Sequence, residues 1–167
     1  MKKSILLIGM PGCGKTTLGE ALAKEIGYDF VDMDRFIEEE KGESIVEIFK
    51  NGEKIFRDIE TSASEKLSKL QGVVVSSGGG IVTRKQNIDY FKDFTIIFIN
   101  RPLDLIIGDI DVENRPLLKD KKDRLYDLYN ERINLYETFG QRHILNDSTV
   151  DVAIERLKEV INKELSL

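Results

Sequence analysis

Gly9-Met10-Pro11-Gly12-Cys13-Gly14-Lys15-Thr16 fits the pattern G-x-x-x-x-G-K-[ST] and follows directly on the apolar run Ile5-Leu6-Leu7-Ile8. Glycines at these positions let successive backbone N–H groups turn inward on a di- or triphosphate. Lys15 can reach the terminal oxygens, and the Thr16 hydroxyl can sit on a Mg²⁺ ion. The bland alternative is a tight turn between a strand and a helix. Four constrained positions in eight, in the right context, favour the phosphate cradle.

Further on stand two more groups able to do chemistry. Asp32-Met33-Asp34 closes a short apolar segment, and in extended chain its two carboxylates point to the same side. Such a pair suits metal or base work, although Asp34 suits equally well an N-cap for a helix Arg35 to Lys41. In Val73-Val74-Val75-Ser76-Ser77-Gly78-Gly79-Gly80 a strand runs into three glycines and carries no acid. A Mg²⁺ ion on the cradle therefore borrows its carboxylate from elsewhere, with Asp32 nearest and Asp34 left free to orient or deprotonate a hydroxyl. The three glycines either bare a wall of backbone N–H groups to a small ligand or form a flexible turn. Arg57, Arg115 and Arg132 are planar forks suited to carboxylate or phosphate, unless each is an ordinary solvated charge.

The elements that must position these groups read as alternating strands and helices. Ser4 to Ile8, Asp29 to Asp32, Val73 to Ser77, Thr95 to Asn100 and Arg142 to Leu145 are predicted strands, the first, third and fourth apolar enough to be buried on both faces. Phe56, Ile59, Ala63, Leu67 and Leu70 predict one face of a long helix closed by Gly72. Ser44 with Glu47 predicts a capping box, and Val150, Ile154, Leu157, Val160, Ile161 and Leu165 predict a last helix. This order implies a parallel sheet covered on both sides, with ligands outside the carboxyl ends of its strands.

Composition narrows the possibilities. The 167 residues suffice for one domain, and no linker, repeat or low-complexity tract divides them. A formal net charge of -5 without a basic stripe argues against nucleic acid as a partner. A single cysteine excludes an internal disulfide and a cysteine metal cluster. With no apolar stretch approaching the ~20 residues of a membrane span, the expectation is a cytoplasmic protein without membrane contact. Cys13 in the cradle fills space or acts as an oxidisable brake, and His143, the only histidine, is expected to be structural.

Taken together, Gly9 to Thr16, Asp32-Met33-Asp34, Phe56-Arg57-Asp58-Ile59-Glu60, Ser77-Gly78-Gly79-Gly80, Arg115-Pro116-Leu117-Leu118 and Arg132 through Leu135-Tyr136 closely resemble the shikimate kinase family, nearly end to end. The resemblance implies a three-layer P-loop NTPase fold with a five-stranded parallel sheet, helices on both faces and a mobile lid. It places the lid at about 109–123 and a substrate-binding helical region at about 33–62 of a single domain, 1–167. It implies ATP-dependent phosphorylation of the shikimate 3-hydroxyl on the way to chorismate, by a monomer that uses Mg²⁺. Asp34, Arg57, Gly79, Gly80 and Arg132 would bind shikimate, with Asp34 as base. Gly12, Cys13, Gly14, Lys15, Thr16, Thr17 and Arg115 would bind ATP, Lys15 and Arg115 acting on the transferring phosphoryl group. Thr16 and Asp32 would serve Mg²⁺, and Glu60 would hold Arg57 in place.

The chain departs from the family in one stretch. Ile106-Ile107-Gly108-Asp109 stands where relatives often carry an arginine against adenine, and Asn146-Asp147-Ser148 is expected to form the other side of the base pocket. A gluconate or nucleoside monophosphate kinase shares the cradle but not the Arg57, Gly78 to Gly80 and Arg132 set. A regulatory module that has lost turnover is disfavoured by the presence of Lys15, Thr16, Asp32, Asp34 and Arg115. A GTP switch is disfavoured because no Asn-Lys-x-Asp signature occurs.

Overall fold

In the computed structural model, which describes residues 3–111 and 118–165, the purely apolar runs occupy the middle of one sheet. β1 (Ile5–Ile8), β3 (Val73–Ser76) and β4 (Thr95–Asn100) are buried almost throughout, whereas β2 (Asp29–Asp32) and β5 (Arg142–Leu145) are partly exposed edges. The order is β2-β3-β1-β4-β5, every pair parallel. Continuous Ile, Leu and Val runs suit the inner positions because helices cover both faces of a parallel sheet. Leu6, Leu7, Ile8, Val74, Val75, Ile97 and Ile99 form the centre of the core.

The order of strands sets the carboxyl ends of β2, β3 and β1 side by side. Asp32 is in register with Ser76, and Leu7 with Ser76 on the other side. The phosphate loop, the Asp32-Met33-Asp34 turn and the triple glycine thus open onto one edge of the sheet. Eight helices are described: α1 (Lys15–Ile26), α2 (Met33–Lys41), α3 (Ile45–Lys50), α4 (Glu53–Leu67), α5 (Lys85–Tyr90), α6 (Leu103–Asp111), α7 (Leu118–Phe139) and α8 (Val150–Leu165).

Several expected boundaries shift. α2 starts at Met33 rather than Arg35, and its N-cap is Asp32, whose side chain accepts from the Arg35 N–H. Asp34 therefore lies in the first helical turn and not in extended chain. α4 ends at Leu67, leaving Leu70 outside the helix and exposed, and Val150 at the start of α8 is exposed too. Ser44 caps α3 by accepting from the Glu47 N–H, as the capping box predicts. Of the expected lid, 109–111 end α6 and 118–123 begin α7, so its flanks are helical. Arg115 and the rest of 112–117 lie outside the described residues.

Candidate active site

The cradle is shaped by backbone first. Gly12 and Gly14 have φ of 78° and 97°, conformations that side chains strain to adopt, and α1 begins immediately behind them. The first turn of a helix leaves N–H groups without intrahelical partners, here Lys15, Thr16 and Thr17, and no side chain caps the end. An anion is the natural partner for such a terminus. The Lys15 ammonium lies across the loop, donating to the carbonyls of Gly9 at 2.7 Å and Met10 at 2.9 Å. Cys13 is fully buried, its thiol 3.6 Å from that ammonium.

At the α1 end of the cradle, the Thr16 hydroxyl donates to the Asp32 carboxylate at 2.7 Å and lies 3.3 Å from the Ser76 hydroxyl. The other Asp32 oxygen accepts the Arg35 N–H at 3.0 Å. This is a small, hard, oxygen-only donor set. Among the described residues no group of three or more His, Cys, Asp or Glu forms a metal cage. Mg²⁺ needs none, since it is typically held by one or two protein oxygens, water and substrate phosphates. The set fits that ion, and the Ser76 hydroxyl, a neutral group on a strand without an acid, belongs to it.

Beyond the cradle a cavity of about 530 Å³ opens between α2, α4, α7 and the triple glycine, lined by Asp34, Arg57, Glu60, Gly78, Gly79, Gly80 and Arg132 among others. Arg57 is only 9 % exposed; it donates to Glu60 at 2.8 Å, and its guanidinium carbon lies 5.2 Å from the Phe56 ring centroid. Phe56 in turn stacks on Phe49 at 4.4 Å. Glu60 is 0 % exposed, and burial raises its carboxyl above the ordinary range despite the Arg57 charge beside it. It therefore holds Arg57, as the resemblance implies. Arg132 is 7 % exposed, and its Nε is buried without a hydrogen-bond partner. Tyr136, one turn further along α7, donates its phenol hydrogen to the Gly79 carbonyl at 2.5 Å.

Asp34 sits among these charges. Burial raises its carboxyl first, the neighbouring Asp32 raises it further, and Lys15 and Arg57 pull it back. Asp34 thus stands between the Lys15 and Arg57 charges. The triple glycine has a reason that sequence alone does not disclose. A Cβ at Gly79 would meet Pro11 of the cradle at 2.8 Å, and one at Gly80 would meet the Arg57 guanidinium at 2.2 Å. The missing side chains admit the site's own walls.

Of the expected residues, the structure brings together Gly12, Cys13, Gly14, Lys15, Thr16, Thr17 and Asp32 at the cradle and Asp34, Arg57, Gly79, Gly80 and Arg132 at the cavity. Of the stretch expected beside the base, Asn146 donates to the Cys13 carbonyl of the phosphate loop and Asp147 pairs with Arg156. Sequence reasoning missed Lys121 and Arg124 of α7 and the apolar wall of Ile45, Phe49, Ile106, Ile110, Leu125 and Leu128. The i, i+4 and i, i+8 spacing from Arg132 back to Leu128 and Arg124 was the available signal.

A parallel five-stranded sheet, a Gly-Lys-Thr phosphate loop and an adjoining anion-binding cavity define the P-loop small-molecule kinases. Residues 11–164 match the family model described as Shikimate kinase. A curated shikimate kinase of Clostridium botulinum is 46 % identical over 162 residues, 96 % of this chain and 98 % of that one. This chain belongs to the shikimate kinase family. Among solved structures, the shikimate kinase from Acinetobacter baumannii in complex with shikimate superposes with a TM-score of 0.87 at 30 % identity, covering 99 % of this chain and 94 % of that one. A gluconokinase from Sinorhizobium meliloti, at TM-score 0.60, 16 % identity and 97 % coverage of both chains, shares the fold alone.

Proposed function

We propose that this chain transfers the γ-phosphoryl group of ATP to the 3-hydroxyl of shikimate, giving shikimate 3-phosphate and ADP on the route to chorismate. One observation carries the reading: two buried guanidinium groups, Arg57 and Arg132, share a cavity with Asp34, while the one glutamate fully buried beside them is already bonded to Arg57. Arg57 is already paired with Glu60 and Glu53, but the Arg132 Nε is buried without a hydrogen-bond partner, a donor left for a carboxylate.

In this reading Arg57 and Arg132 take the substrate carboxylate, and Gly79 and Gly80 form the wall against its ring. Asp34 accepts the proton of the 3-hydroxyl as that oxygen bonds to the γ-phosphorus and the bond to the ADP oxygen breaks. Gly12, Cys13, Gly14, Thr16 and Thr17 present the cradle, and Lys15 and Arg115 stabilise the charge spreading over the moving group. Thr16 and Asp32 hold Mg²⁺, which neutralises phosphate oxygens when bound. The region 33–62 supplies Asp34 and Arg57 of the acceptor site and 109–123 the lid that shuts out water. One chain supplies every residue named, which supports a monomer. No described helix is long and apolar enough to cross a membrane.

The test is ADP release from Mg-ATP with shikimate, gluconate and nucleoside monophosphates offered separately. Shikimate is expected to be the only acceptor; turnover with gluconate instead, or none with shikimate, overturns the reading.

A further inference from the structure

Asn146 follows β5 and is held at its backbone N–H, its carbonyl and its side-chain Nδ2. Its N–H donates to the Asn100 carbonyl at 2.8 Å, and its carbonyl accepts from Arg101 Nη1 at 2.9 Å. Arg101 is itself clamped by Asp109, through Nε at 3.1 Å and Nη2 at 3.2 Å. From this fixed base the Asn146 side chain, 8 % exposed, donates Nδ2–H to the Cys13 carbonyl at 2.9 Å. The approach is close enough that a Cβ on Gly14 would come within 2.9 Å of Nδ2.

That hydrogen bond joins the far edge of the sheet to the phosphate loop, and it fixes more than a carbonyl. Across a trans peptide the C=O and the next N–H point in opposite directions, and the described chain has no cis bonds. Drawing the Cys13 carbonyl outward to Asn146 turns the Gly14 N–H the other way, toward the hollow that the Lys15 ammonium spans. Gly14 is the N-cap of α1 and sits at φ 97° and ψ 13°, a region glycine enters without steric cost. Nothing intrinsic to the residue therefore holds this peptide plane.

We infer that Asn146 is a positioning residue for phosphoryl binding: it aims the Gly14 N–H at the nucleotide's phosphates and does not read the base. The inference rests on the kinase reading above, and it concerns only the cradle. Asn146→Asp keeps the shape but replaces the donor with an acceptor facing the Cys13 carbonyl, and Asn146→Ala removes the donor without adding repulsion. Lys85→Ala, which breaks only an exposed pair with Asp89, serves as control.

Calorimetry with inorganic tripolyphosphate and Mg²⁺, which carry no base, separates phosphate from base recognition. Each Asn146 variant is expected to weaken tripolyphosphate and Mg-ADP by about tenfold, as the loss of one well-placed buried hydrogen bond implies. Shikimate affinity and the ratio of ATP to GTP use should stay as in wild type. Unchanged tripolyphosphate binding overturns the inference, and so does a changed ATP to GTP ratio without it. Parallel loss of tripolyphosphate and shikimate affinity overturns it as well, since that marks general loosening. If Asn146→Asp fails to fold, Asn146→Ala carries the test. Wild-type protein that binds tripolyphosphate without phosphorylating shikimate sinks the acceptor assignment and leaves this comparison standing; wild type that binds neither tripolyphosphate nor Mg-ADP sinks both.

Discussion

Gly80→Ala tests the acceptor site through a single methyl group. Gly80 has φ -94° and ψ 5°, values alanine adopts readily, so the substitution strains no backbone. Its Cβ would lie 2.2 Å from Arg57 Nη1 and 2.4 Å from Cζ and Nη2. Ordinary contact begins near ~3.5 Å, so the guanidinium must retreat by more than about 1 Å. It cannot do so freely, because Nη1 is bonded to fully buried Glu60 at 2.8 Å. Misplacing a substrate-positioning group by ~1 Å can cost on the order of 10²-fold, and losing a buried charge contact costs about 2–5 kcal/mol. The expected outcome is a shikimate KM raised by roughly 30- to 100-fold with the KM for ATP nearly unchanged, read from steady-state ADP release. The double mutant Arg57→Ala/Gly80→Ala should be no worse than Arg57→Ala alone, because the methyl group then has nothing to displace. A Gly80→Ala enzyme with wild-type shikimate KM, or costs that add in the double mutant, would refute the reasoning.

Asp34→Asn should lower kcat by about 10²- to 10⁴-fold while raising Tm, since burial and Asp32 disfavour the ionised carboxylate that the variant removes. The same raised pKa has a pH signature. The folded protein keeps the Asp34 proton to higher pH than the unfolded chain does, so this group erodes stability as pH rises from the unfolded value through the folded one, and pH-dependent melting of wild type and variant should differ in that window. Wild-type kcat/KM should fall on the acid side above the ordinary aspartate range, as the base becomes protonated. Tyr136→Phe removes the donor to the Gly79 carbonyl, and shikimate KM should rise about fivefold with kcat little changed. An unaltered KM for shikimate would show that the Tyr136 hydroxyl does not hold this wall.

The strands were legible because their burial is simple. Runs such as Ile5 to Ile8 and Thr95 to Asn100 have helices on both faces, so hydrophobicity alone marks them, and the observed bounds fall within one residue of those expected. Helix ends were less legible because periodicity does not register where the backbone turns. Leu70 continues the α4 pattern yet lies beyond its end, and Asp-Met-Asp offers two capping aspartates of which tertiary contact selects Asp32, through Thr16 on α1. The cradle was legible in full because its chemistry is local. Arg57 and Arg132 were legible only through the family resemblance, since by spacing alone each looks like a solvated helix charge until the fold brings α4 and α7 to one cavity. The partners of Asn146 and Gly80 are likewise distant in sequence, and no spacing rule reaches them.

A chain with a net charge of -5 that binds two anions must concentrate its cations locally. Lys15, Arg57 and Arg132 are each less than a tenth exposed, and burying charge in this way costs several kcal/mol unless partners compensate it. The fold compensates incompletely. Glu60 and Glu53 answer Arg57, two carbonyls answer Lys15, and the Arg132 Nε and Glu60 Oε2 are left without hydrogen-bond partners. A full set of internal carboxylates would be more stable, but it would compete with the substrate carboxylate and phosphates for the same donors. In the proposed reading the unpartnered donor lies where the ligands bring their charge, so each substrate would stabilise the folded state it binds. Asp34 follows the same logic with opposite sign: a buried carboxylate held above its ordinary range accepts a proton more readily, which is what the departure of a hydroxyl proton requires.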